Sequence, residues 1–205
     1  MNKRIYIIIG AIIIAAIVVL MVYIQSQQSP KLVGTTVFNP PLNTSDFILY
    51  DTNGNKIELN QLYGKVIAMS FVYRNCPDVC PIIMRHFKQV AEELNKEGYK
   101  GKYIMLLISV DPDRDAIQAK SFMEKMGMPD DVHYLVAPKG ELQNVWKAYG
   151  VFVEIPTNKM GNYTVTHTAI VYVIDKQLRI RVAFGHPGFW SPNDLLQDMI
   201  ILIKE

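Results

Sequence analysis

Cysteine is scarce in this chain: Cys76 and Cys80 are the only two in 205 residues. Neither follows directly on the apolar N-terminal run, which excludes anchoring through a lipid-modified cysteine. Net charge is also small, +2, from 21 basic and 19 acidic residues. No basic patch interleaved with aromatics occurs, which argues against a nucleic-acid partner. There is no internal repeat and no low-complexity tract. Between Pro156 and Pro187 there is no proline, so a hairpin strand read at 165–175 lacks the proline that precedes it in thioredoxin-type oxidoreductases.

The two cysteines stand together in Cys76-Pro77-Asp78-Val79-Cys80-Pro81. An apolar run, Val66–Val72, precedes them and reads as a buried strand. Apolar residues at helical spacing follow from Ile82 to Leu94, with Arg85, Lys88, Glu92 and Glu93 on the other face. The pair therefore lies on a strand-to-helix turn. Pro81 lacks an N–H, so the first turn is irregular and the helix is expected to begin near Cys80. A helix N-terminus lowers a thiol's pKa, and the thiolate is both nucleophile and metal ligand. On a helix, i and i+4 share one face, about 6 Å apart along the axis. That distance suits a disulfide and equally suits two sulfurs on one soft metal ion. Spacing alone does not decide between them, and a metal site needs at least a third ligand.

Ile5–Ile24 is twenty residues without a charge, long enough to cross a bilayer. Lys3 and Arg4 precede it, so residues 1–4 are expected in the cytoplasm and the rest outside, in a single-pass membrane protein. A secretory signal peptide would end in a small-residue cleavage site, and Tyr23–Gln27 offers none. With no arginine-rich transit peptide, a bacterial or archaeal surface fits better than a mitochondrion. Residues 25–41 are polar and carry three prolines, which predicts a linker. Residues 42–205 then make one domain with chain enough for a real core. Cysteines in an exported domain become oxidised unless a reductant or bound metal protects them.

Along that domain, 46–50 and 56–59 flank the turn Asn53-Gly54 and predict a hairpin. Strands at 66–72, 103–110 and 132–137 alternate with helices at 82–94, 116–126 and 142–149. A looser segment, 151–163, leads to a second hairpin, 165–175 and 178–184, and a last helix opens at Ser191-Pro192. Alternating strands and helices give a sheet with parallel central strands covered on both faces. The order predicts an α/β, thioredoxin-like fold with an extra N-terminal β-hairpin. Sites in such sheets lie at the carboxyl ends of the strands. Cys76, Cys80 and Asp111 fall there.

Of the four histidines, His86 lies six residues beyond Cys80 and turns away from it, His133 begins a strand, and His186 sits in a surface turn. His167 stands where the final hairpin starts, a position facing the cysteine turn in this fold, and is the candidate third ligand. Asp111 is a candidate partner for His167 or a cap for the next helix. Met84, one turn beyond Cys80, could offer a thioether but reads first as core packing.

CPDVCP after a strand ending in Phe71-Val72-Tyr73, the segment Asp111–Asp115 (DPDRD) and a histidine in HTAIVYVID resemble the Sco (SenC) family of membrane-anchored, thioredoxin-like copper chaperones. The resemblance runs from about Leu42 to the end. It implies copper, as Cu(I) or Cu(II), held by Cys76, Cys80 and His167. It also implies a role in assembling the dinuclear copper centre of cytochrome c oxidase, with that enzyme's copper-bearing subunit as partner. Two thiolates and an imidazole suit Cu(I), although zinc would accept the same set with a water. On this reading the protein binds and delivers rather than catalyses. The alternative is a thiol–disulfide oxidoreductase that reduces a partner's cysteines through a Cys76–Cys80 disulfide. A peroxidase comes third, without a separate signature.

Overall fold

The computed structural model describes residues 3–26, 31–158 and 163–205. It divides into two compact units, Met1–Lys31 and Leu32–Glu205. The first contains helix α1, Lys3–Ser26. Its side chains are described for residues 8–21 only, and among the described residues no helix is long and apolar enough to cross a membrane. Over that stretch α1 is uncharged and its isoleucines are exposed.

The second unit is built on an eight-stranded sheet. In chain order its strands are β1 (Thr36–Asn43), β2 (Ile48–Asp51), β3 (Lys56–Glu58), β4 (Val66–Val72), β5 (Tyr103–Ser109), β6 (Val132–Val136), β9 (Val171–Ile174) and β10 (Arg179–Phe184). The short strands β7 (Val153–Glu154) and β8 (Thr166–His167) pair only with each other. Across the large sheet the order is β1-β10-β9-β4-β5-β6-β2-β3. β4, β5 and β6 are parallel, and every other neighbour is antiparallel. All seven residues of β4 and all seven of β5 are buried, so both faces of the centre are covered. The cover comes from α2 (Val79–Lys96), which packs on α5 (Pro192–Lys204), and from α3 (Pro112–Met126), which packs on α4 (Lys139–Ala148).

The hairpin at Asn53-Gly54 forms as β2–β3, with Gly54 in the left-handed region at φ 84°, and docks on β6. α3 begins four residues earlier than expected because Pro112 fits the first helical position. At α5 Ser191 and Asp194 form a reciprocal capping box.

Two expectations change. Residues 25–41 are not a linker throughout, since the folded unit starts at Leu32 and Thr36–Asn43 forms β1 on β10. Val33 and Gly34 are held by Asp198 of α5, whose two carboxylate oxygens accept their backbone N–H groups at 2.8 and 3.0 Å. The strand expected at 165–175 is also two strands. β8 belongs to the small sheet, and β9 begins at Val171. Residues 159–162 of the looser segment lie outside the described residues.

Candidate metal centre

Cys76 and Cys80 leave the carboxyl end of β4, and Asp111 leaves that of β5. β9 runs antiparallel to β4, so its amino end, just after His167, reaches the same edge. The structure therefore brings all four residues to one side of one sheet.

The turn between β4 and α2 is organised by sulfur. Asp78 occupies the N-cap position of α2, but its side chain makes no capping bond. The Cys80 N–H instead donates to Cys76 Sγ at 3.5 Å. Pro81, third in the helix, has no N–H to leave unpaired. α2 begins at Val79, one residue from the expected start.

His167 Nε2 lies 3.4 Å from Cys80 Sγ. Its other ring nitrogen, Nδ1, lies 3.1 Å from the Thr168 carbonyl. A carbonyl only accepts, so Nδ1 carries the proton and the Nε2 lone pair faces the sulfur. The ligand atoms of Cys76, Cys80 and His167 all lie within 4.8 Å of one another. Among the described residues no other group of three such side chains converges in this way. Cys76 is 8% exposed and Cys80 1%, and both are free thiols. Cys76 and His167 line an open cleft of about 560 Å³, together with Pro77, Val79, Val165 and His186, and Cys80 is buried next to them.

The two sulfurs divide one charge. The hydrogen bond from Cys80, with smaller help from backbone N–H groups, outweighs burial and holds the Cys76 thiol well below its usual range. The bond to Cys76, together with burial, pushes Cys80 far up. The more exposed sulfur is therefore the readier of the two to ionise, and the deeper one the readier to hold a proton. A cation that displaced that proton would gain a second thiolate, so binding releases a proton.

Asp111 does not meet His167. It accepts from the Tyr163 hydroxyl at 2.8 Å and is paired with the Arg114 guanidinium. Arg114 also donates to the Tyr163 carbonyl at 2.9 Å and lies 3.7 Å from the centre of the Tyr163 ring. The expected contact to His167 goes to the Thr168 carbonyl instead, and Asp111 secures the start of the segment that carries His167. Met84 is 1% exposed and belongs to the core. His86 packs edge-on against Trp190, and His133 lies 3.3 Å from Asp51. His186 is the one member of the remaining three that reaches the cleft, but its Nδ1 accepts from Gly188 N–H at 3.1 Å.

Two site residues were not singled out from sequence. Tyr73, the residue after β4, packs edge-on against His167 with ring centres 5.7 Å apart. Burial first, and then the Cys76 sulfur, raise its hydroxyl to about 12. Asp115 lies behind the cysteine turn, accepting from Arg74 N–H, Ser109 and Tyr134 at 3.0, 2.6 and 2.6 Å. Burial raises its carboxyl to about 6. Tyr73 adjoins the motif, which was the available signal. Asp115 closes the DPDRD segment, but its burial was not legible, because an acidic residue in the first turn of a helix normally faces water.

The SCO1/SenC family model matches residues 38–203. The chain belongs to the SCO1/SenC family. Human SCO1 homolog, a mitochondrial protein, is 30% identical over 135 residues, 65% of this chain and 44% of that protein. The chain spans less than half the length of this and the zebrafish and Arabidopsis relatives. Bradyrhizobium japonicum ScoI with copper bound is 28% identical, with a TM-score of 0.68 over 78% of this chain and 99% of that one. Yeast Sco1 with copper bound is 25% identical, with a TM-score of 0.69 over 80% and 90%. These Sco likenesses extend over the thioredoxin-like domain that carries the Cys76, Cys80 and His167 set.

Proposed function

We propose that the protein is a copper chaperone. Cys76, Cys80 and His167 hold the ion as cargo, and the copper-bearing subunit of cytochrome c oxidase receives it for the dinuclear copper centre. The observation that carries this reading is the convergence of two sulfurs and a free imidazole lone pair within 4.8 Å at an open cleft. The copper-bound ScoI and Sco1 relatives support it. Two soft sulfurs favour copper, and Cu(I) in particular. A three-ligand site open on one side leaves room for a partner's ligand to approach before the ion departs.

The anchor belongs to this reading. The uncharged run 5–24 behind Lys3 and Arg4 would keep the domain at the outer face of the cell membrane. Protease added to intact spheroplasts should then remove the domain. Protection, or release of a processed soluble form, would sink that part.

One observation favours a second reading, thiol–disulfide exchange. Cys76 is the more exposed sulfur and the readier to ionise, as an attacking residue must be, while Cys80 behind it is the readier to hold a proton. Titration of the reduced protein with Cu(I) and Cu(II) separates the two readings at the first step. One tightly held copper per chain is expected. No stoichiometric binding would leave exchange as the function.

A further inference from the structure

Of the eight phenylalanines in the chain, only Phe152 and Phe189 are exposed, and both stand beside the metal centre. Phe189 is 87% exposed, more than any other large apolar side chain among the described residues. Its ring centre lies 5.6 Å from that of His186, which lines the cleft. Phe152 is 58% exposed and adjoins the other cleft histidine. Its N–H donates to the hydroxyl of Thr168, the residue after His167, at 3.1 Å, and its carbonyl accepts from the Thr168 N–H at 3.0 Å. Single exposed apolar side chains are ordinary on a surface. Here the two exposed phenylalanines fall beside one opening, whose own border includes the exposed Pro77 and the half-buried Val79.

Phe189 is also held, not loosely displayed. Its N–H donates to the His186 carbonyl at 3.0 Å, and the Gly188 N–H donates to His186 Nδ1 at 3.1 Å. Trp190 Nε1 donates to the Gly185 carbonyl at 2.9 Å, and its ring packs against Phe184 and edge-on against His86. β10 ends at Phe184, before this turn, and the capping box of α5 opens at Ser191, after it. A ring fixed in this way loses little freedom when it is covered, which is the requirement for an interface anchor. We propose that Phe189 and Phe152, with the apolar border of the cleft, form the surface on which the copper acceptor docks. The inference rests on the copper reading above. An ion held by Cys76, Cys80 and His167 leaves through the opening that Pro77, Val79 and His186 border, so a protein that takes it must cover that border. The occupant is therefore a protein whose thiolate or imidazole ligands are ringed by apolar surface that can seat an aromatic ring. Asp78, exposed at the same border, offers a carboxylate to a basic side chain of that partner.

The test uses the full chain in detergent, loaded with Cu(I), as parent, Phe189→Ala, Phe152→Ala and Phe189→Trp. Copper transfer is timed to two acceptors: the metal-free soluble domain of the oxidase's copper-bearing subunit, and a small Cu(I) chelator. Both alanine variants should bind Cu(I) as tightly as the parent and lose it to the chelator at the parent's rate. Transfer to the protein acceptor should slow by about tenfold in Phe189→Ala, and most of the loss should return in Phe189→Trp. Equal transfer to the protein acceptor by parent and both alanine variants would overturn the docking surface while the copper reading stands. So would a loss of Cu(I) affinity that slows both transfers alike, since the ring would then support the site itself. A parent that self-associates through Phe189, with transfer unchanged in the alanine variant, would show that the surface pairs two copies and would also overturn it. A parent with no stoichiometric Cu(I) would overturn both readings.

Discussion

Arg114 grips Tyr163 twice, lying 3.7 Å from its ring centre and donating to its carbonyl at 2.9 Å, while Asp111 binds both side chains. Tyr163 opens the stretch that ends in His167, so the grip sets where that stretch begins. Arg114→Ala would leave the Asp111 carboxylate buried without its cation. Such losses cost about 3–5 kcal/mol when fully buried, and the Arg114 side chain is 15% exposed, so about 2–3 kcal/mol is expected here. Urea unfolding followed by the two tryptophans should show the loss. Amide exchange over 164–167 should quicken in the same variant.

Metal binding needs three ligands, whereas disulfide exchange needs two. His167→Ala should therefore weaken copper binding by at least tenfold, since even indirect ligand support is worth about 10–100-fold. A Cys76–Cys80 disulfide should still form in that variant. Cys76→Ser should lose both properties. If His167→Ala still metallates a copper acceptor while Cys76→Ser does not, thiol exchange is the essential act.

Copper should also quiet the segment that carries His167. The single pairing of β7 with β8 is a short ladder, and His167 is only partly buried. Hydrogen exchange over 164–168 is expected to slow when Cu(I) is added to the reduced protein. Unchanged exchange would mean that the three ligands already stand in their final places.

Asp198 makes stability depend on acidity. Burial, only partly offset by the Val33 and Gly34 N–H groups, raises its carboxyl to about 6, above its ordinary 3.8. The folded state therefore holds a proton between these values that the unfolded state has released. Stability from this group rises as pH falls from 7 to about 4 and is lost on returning upward. His86, depressed by burial, works in the opposite sense below its ordinary 6.5. The comparison is thus with Asp198→Asn, whose unfolding free energy should gain less on acidification than the parent's. A difference of about 1 kcal/mol between pH 7 and 5 is expected, and parallel curves would refute it.

Gly34 is a position where no side chain fits. A Cβ there would come within 1.8 Å of Val182 Cγ1, and Val182 is fully buried in β10. Gly34→Ala should cost about 1–3 kcal/mol as the 33–34 strap is displaced from Asp198. A melting temperature within a degree of the parent's would mean that the strap moves aside freely.

Much of this arrangement was legible in sequence where pattern and chemistry agreed. Val66–Val72 is apolar at every position because both its faces are covered, and the strand ends where it was read. Cys76 and Cys80 were legible because they leave the carboxyl end of one strand, and His167 because it precedes a strand antiparallel to it, so that all three approach one edge. The misses have physical reasons. β1 has no buried residue and contains Pro40 and Pro41, so it shows no alternation, and what holds it is backbone pairing to β10. The break after His167 was hidden because 165–175 keeps its strand-like composition throughout. Pairing with β7 draws His167 out of the large sheet and over the sulfurs. Of the two roles read for Asp111, neither the contact to His167 nor a side-chain cap forms: Tyr163 reaches it from a distant part of the chain, which spacing does not reveal, and Arg114 takes it at the i,i+3 spacing.

β1 also guards the molecule against itself. It lies along one margin of the eight-stranded sheet and covers the free backbone groups of β10. A domain cut at Leu42 would keep every residue of the metal centre yet bare the N–H and C=O groups of β10, a ready template for strand addition by a second copy. A soluble form meant to stay monomeric must therefore start no later than Leu32, ahead of the strap on Asp198 as well as the strand.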